Sequence, residues 1–188
     1  MVRREGVPAY RWPETLLSLF LFILFVCSAI TLGAFCYFKY VQQRLLVDVP
    51  WYYDFLIATS SITIAFILLI LILYYRLLLL PILVLPIAFL LFVFWLIGLI
   101  KASIELWGPV GSINDNCQRY VYNEEFWGGK SLHTVARIQQ EGMCNLWKTS
   151  FAMELIATFV LMSILVLAGH VMMEARRGYD DVPPSSVI

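Results

Sequence analysis

The sequence predicts an all-α membrane protein, a four-transmembrane-helix bundle with a large loop between helices 3 and 4. Three observations predict it. Of 188 residues, 61% are hydrophobic and only 14% are charged, with a mean hydropathy of +0.81. A soluble domain of this size has too much surface for its volume to hide that much apolar area. The apolar residues fall in runs long enough to cross a hydrocarbon core about 30 Å thick. Aromatics make up 15%, which suits two belts of Trp and Tyr at headgroup level. Each crossing has to be helical, because only a helix satisfies its own backbone hydrogen bonds without water.

The first span, about 16–38, reads "LLSLFLFILFVCSAITLGAFCYF". Arg3, Arg4 and Arg11 precede it, as in the basic start of a secretory signal. Its apolar run is longer than a signal's, however, and it has no convincing small-x-small cleavage site. It is therefore read as a retained anchor within a membrane domain of 15–173, with 1–14 as a tail. Phe55 to Ile100 is one apolar stretch interrupted only by Arg76. As a single helix it would reach roughly 69 Å, so it must cross, turn at "YYRLLLLP" and return. That gives spans of 55–74 and 77–100. Pro81 and Pro86 are expected to bend the third span near its start. The fourth span is 151–173, and residues 174–188 form a second tail, too short and polar to fold.

An even number of spans puts both termini on one side. Arg3, Arg4, Arg11, Arg76, Arg176 and Arg177 lie on that side, in about half the chain length that carries the basic residues of the other. The termini are therefore expected in the cytosol, with Arg76, Arg176 and Arg177 as anchors to anionic headgroups. Residues 101–150 become the outer loop. Within it "SLHTVARIQQEG" reads as a short helix, with Ser131 as N-cap and Gly142 as C-terminal stop. The loop is expected to lie across the outer helix ends, with Trp107, Trp127 and Trp147 at the boundary. Cys117 and Cys144 are its only cysteines, and on the oxidising side they are expected to form a disulfide. Cys27 and Cys36 are read as small packing residues of span one.

Polar groups inside the spans carry the functional question. Glu154 lies about a turn inside span four, and an intramembrane carboxylate is by default a candidate site. It can be a structural anchor, paired with Lys101 or snorkelling to headgroups, or it can be a proton or ligand site. His133 and His170 fall on opposite faces of the membrane, and with no CxxC no metal site is expected. Ala29 with Gly33, and Ser61 with Ala65, stand four apart beside Thr59 and Ser60. They read mainly as close packing within the bundle, although contacts to a second protein would look the same. In the second tail, Tyr179 and Val182 ("YDDV") have the Tyr-x-x-apolar form of a sorting signal.

The segment "CNLWKTSFAMELIATFVLMSILVL", Cys144 to Leu167, is a Cys/Trp/Lys/Phe-Ala entrance to an apolar helix. With "WYYDFLIATSSITIAFILL" (residues 51–69), the four spans and the cysteine-bearing loop, it resembles the MARVEL-type tetraspan membrane proteins, particularly the fungal members. The resemblance implies an organiser of membrane domains, vesicle traffic or membrane apposition, with no catalytic residues to carry over. Claudin-like proteins place their large loop between spans one and two, and tetraspanins carry a Cys-Cys-Gly signature absent here. No nucleophile–base set is in view, and a formal net charge of zero argues against nucleic acid. The expectation is a non-enzymatic multi-pass protein of the plasma membrane or an endomembrane, with no cofactor. Its expected partners are membrane lipids and other integral membrane proteins or further copies of itself. The alternatives are a channel or transporter component, or an accessory subunit of a larger membrane complex.

Overall fold

The structure is a computed structural model that describes residues 12–76, 79–109, 112–122 and 132–180, the side chains of 120, 132–138 and 178–180 excepted. It is an all-α bundle of four long apolar helices: α1 (Glu14–Arg44), α2 (Trp51–Tyr75), α3 (Pro81–Trp107) and α5 (Leu132–Asp180). Between α3 and α5 lie a single turn, α4 (Ile113–Asn116), and a π-helical turn, Cys117–Tyr122. Each long helix is able to cross a membrane by length and composition. Exposed side chains such as Phe22, Ile62, Phe89 and Val166 are those that lipid solvates.

One rule of spacing builds the core. The buried residues of α1 include Leu17, Leu21, Leu24, Ser28, Thr31, Phe35 and Phe38. Those of α2 include Tyr52, Leu56, Thr59, Thr63, Phe66 and Ile70. In α3 the series is Pro81, Val84, Ala88, Leu91, Trp95, Gly98 and Ala102. In α5 it is Trp147, Ser150, Glu154, Ala157, Leu161, Ile164, Ala168 and Val171. All four alternate steps of three and four, a period of 3.5, which keeps one seam facing its neighbours as left-handed helix pairs do. The helices close a ring in which α1 packs on α2 and α5, and α3 packs on α2 and α5.

Short connections hold the ring in register. The Trp12 indole N–H donates to the Leu79 carbonyl at 3.1 Å, tying the start of α1 to the α2–α3 turn. At the opposite end Lys39 pairs with Asp54, and the Gln42 amide donates to the Tyr53 hydroxyl at 3.1 Å, joining α1 to α2. In the bundle centre the Trp95 indole N–H donates to Thr63 Oγ1 at 2.9 Å, joining α2 to α3. Between α2 and α3, a Cβ on Gly98 would stand 2.5 Å from a methyl of Leu56. Only glycine fits there without a shift.

Several expectations change. Pro81 does not interrupt a helix: it opens α3 at its first position, where the missing N–H has no intrahelical partner in any case. Pro86 is the proline inside α3. Gly142 is no stop, because α5 runs through it as one helix of 49 residues, about 73 Å long. The separate loop helix and span four are thus one rod, and a rod of that length reaches well past the bilayer. The tail is not unfolded at its start either, since α5 continues to Asp180. Ser131 and Trp127 lie outside the described residues.

The Cys117–Cys144 disulfide, with Cα atoms 6.0 Å apart, ties the π turn to the outer part of α5. Val121 and the partly buried Ile113 pack around it. Just inward, Phe35, Phe38, Tyr52, Tyr53 and Trp147 form an aromatic cluster, with Phe38 stacked on Trp147 at 4.8 Å.

Two outcomes are expected in detergent unfolding experiments. Phe35→Ala, at a fully buried position, lowers stability by about 3–5 kcal/mol, whereas Phe22→Ala on the outward face changes it by less than about 0.5 kcal/mol. Cys117→Ser lowers it by about 3–4 kcal/mol in the chain-entropy account. Free thiols at both positions in non-reducing mass spectrometry of native protein would remove the basis of the second.

Candidate functional site

The bundle holds two apolar clusters separated by a polar girdle. The outer cluster is the aromatic group around Phe35 and Trp147. The inner one runs from Leu17 and Ile70 through Leu91 and Trp95 to Leu161 and Ala168. Between them lie Ser28 and Thr31 on α1, Thr59 and Thr63 with the adjacent Ser60 on α2, and Ser150 and Glu154 with the nearby Thr158 on α5, all buried. From α3 the same level receives Gly98 and Ala102, which carry no polar side chain.

The girdle is half satisfied. Ser28 Oγ donates to the Leu24 carbonyl and Thr63 Oγ1 to the Thr59 carbonyl, each at 2.8 Å. Thr158 Oγ1 donates to the Glu154 carbonyl, also at 2.8 Å. These bonds return a hydroxyl to the carbonyl four residues back on its own helix. Thr31 Oγ1, Ser60 Oγ, Ser150 Oγ and both carboxyl oxygens of Glu154 are buried without a hydrogen-bond partner among the described residues. Glu154 is fully buried, one heptad inward from Trp147.

This corrects the expected anchor. Lys101 does not pair with Glu154. Its Nζ lies 3.6 Å from Glu105, one turn away on the same helix, and 5.8 Å from the centroid of the Tyr52 ring. Lys101 and Glu105 sit half-exposed at the rim of α3, whereas Glu154 belongs to the seam that α5 turns to the bundle axis. The seam position also rules out snorkelling, because the carboxyl has no exposed path. Burying a carboxyl without a partner costs on the order of several kcal/mol. A group that costs stability in this way marks a functional position more often than a structural one.

The other predicted residues disperse. Arg76 ends α2, and Arg176 and Arg177 lie in the last turns of α5, all exposed. They share the end of the bundle where α1 begins. His170 is exposed with Nδ1 3.9 Å from Glu174; the side chains of His133 and Tyr179, and all of Val182, lie outside the described residues. Among the described residues no three His, Cys, Asp or Glu side chains group as metal ligands.

The small-residue pairs are a second correction. Ala29, Gly33, Ser61 and Ala65 are all exposed, on the outward faces of α1 and α2. Each sits off the heptad seam, so the close packing they allow is not packing within this bundle. The free thiol of Cys36 is exposed, three residues beyond Gly33 on α1. The Trp95–Thr63 bond and the girdle were not anticipated from sequence. The steps of three and four linking Leu24, Ser28, Thr31 and Phe35 were the signal that could have found them.

Glu154→Met keeps the volume and removes both unpartnered oxygens. It is expected to raise stability by about 1–3 kcal/mol in detergent unfolding; a fall of that size would show that the carboxyl is hydrogen-bonded in the native bundle.

No family model matches this chain, and neither a curated protein nor a solved structure matches it.

Proposed function

We propose that this integral membrane protein is a non-enzymatic scaffold. It gathers other membrane proteins, or further copies of itself, through lipid-facing helix surfaces, as the resemblance to MARVEL-type tetraspans implies. The observation that carries the reading is the outward placement of Ala29–Gly33 on α1 and Ser61–Ala65 on α2. In lipid there is little hydrophobic drive between helices, so association depends on close backbone approach, which small side chains permit. The core of this bundle leaves those four residues unused. Its long α5, fixed by the disulfide at Cys144, extends the surface beyond the bilayer. Orientation with cytosolic termini, residence in the plasma membrane or an endomembrane, and sorting through Tyr179 and Val182 belong to the same proposal.

The exposed Cys36 supplies the test. A thiol-specific crosslinker applied to native membranes is expected to trap a stable adduct through Cys36. Gly33→Leu with Ala65→Leu is expected to lower that yield about tenfold, as loss of a close interface of 1–2 kcal/mol does, without changing the unfolding midpoint. An adduct formed equally well by the double variant would sink the reading.

Glu154 favours one alternative, a channel or transporter component in which the girdle handles a proton or cation. Under that reading Glu154→Gln assembles normally and loses a measured flux in reconstituted vesicles.

A further inference from the structure

A crevice between α1 and α2 lies apart from both the girdle and the outward small-residue faces. It opens at the end of the bundle that carries the described chain ends, and has a volume of about 390 Å³. Leu17, Leu21 and Ile70 form its floor, and Glu14, Tyr74 and Tyr75 stand at its rim. Its depth is set by known markers. Trp12, bonded to the Leu79 carbonyl, and Arg76 at the end of α2 are residues that prefer the headgroup region. From Glu14 the crevice descends along α1 to Leu21, roughly 10 Å at 1.5 Å per residue. A polar rim at headgroup level above an apolar floor has the outline of an upright amphiphile.

The rim selects the headgroup. Glu14 is exposed, and none of the ion pairs among the described residues engages it. Tyr74 lines the same crevice as Glu14. The Tyr74 and Tyr75 rings stand 6.3 Å apart, edge to face at 72°, and both line the same rim. A carboxylate that shares its rim with two tyrosine rings attracts an ammonium and repels a headgroup that carries only negative charge. We propose that the crevice binds one phospholipid with an amine headgroup, its ammonium against Glu14, Tyr74 and Tyr75 and its acyl chain over Leu17, Leu21 and Ile70. Arg76, one residue beyond the rim, meets the phosphate. The primary amine of ethanolamine and the quaternary amine of choline share this chemistry. The site depends on the membrane embedding and not on the scaffolding role.

The test uses the full chain, purified and delipidated in mild detergent, then offered dioleoyl phosphatidylethanolamine, phosphatidylcholine or phosphatidylglycerol and read by native mass spectrometry. One amine-headgroup lipid per chain is expected to be retained, with phosphatidylglycerol at least about tenfold weaker. Glu14→Gln is expected to weaken retention about tenfold, as loss of a charge-assisted contact does. Ser18→Trp fills the crevice and is expected to abolish retention. Both positions are exposed, so neither variant shifts the unfolding midpoint. Phosphatidylglycerol held as tightly as phosphatidylethanolamine, or both variants retaining lipid like the parent, would overturn the proposal.

Discussion

Helix α5 shows the bundle axis one side chain every three or four residues, from Trp147 through Glu154 and Leu161 to Val171. Everything else in the protein is placed by that seam and its counterparts on α1, α2 and α3. Because α5 packs on both α1 and α3, it closes the ring. A change in its rotation would move Trp147 off Phe38 and Glu154 off the axis together. The period of 3.5 is what makes this possible over so many turns, since a period of 3.6 would carry the seam away from its partners. The disulfide acts on the same helix from outside, fixing Cys144 one turn beyond Trp147.

The seam also explains why the polar girdle exists at all. Once four apolar helices share one register, any Ser, Thr or Glu on the seam is buried at a shared depth. Hydroxyls tolerate this by bonding to the carbonyl four residues back, as Ser28, Thr63 and Thr158 do. An ionised glutamate cannot, because a carboxylate only accepts hydrogen bonds and the N–H groups of an intact helix are already engaged. The apolar layers on either side then isolate Glu154 from headgroups, and the rotation of α3 turns Lys101 to the rim beside Glu105. The costly feature and the well-packed one are therefore products of the same geometry.

The outer surface divides along comparable lines. Large apolar side chains such as Phe22, Ile62 and Phe159 give lipid a rough, dispersive coat. The stretches at Ala29–Gly33 and Ser61–Ala65 are smooth enough for a backbone to approach. At the terminus-bearing end the coat opens into the α1–α2 crevice, where Glu14 and two tyrosines replace leucines. The small-residue stretches and the crevice thus both sit on two adjacent helices, α1 and α2, while the large apolar coat extends over α3 and α5 as well.

Residue by residue, legibility followed locality. The four crossings and the turn at Arg76 could be read directly, because the length of an apolar run is a local property that the bilayer thickness judges alone. The pairing of Cys117 with Cys144 was similarly legible, since no other cysteines share the stretch between α3 and α5. Gly142 misled because its freedom to leave a helix is used only when the chain must turn, and α5 does not turn there. The inward face of each span was not legible. In a soluble helix hydropathy marks the core face, but lipid is as apolar as the core, so Ala29, read mainly as packing within the bundle, in fact faces outward, while Phe35 faces the core. Only the tertiary packing decided that Gly33 faces outward, that Lys101 turns to Glu105, and that Glu154 faces the axis with no hydrogen-bond partner among the described residues, because rotation about a helix axis is fixed by neighbouring helices and by nothing in the helix itself.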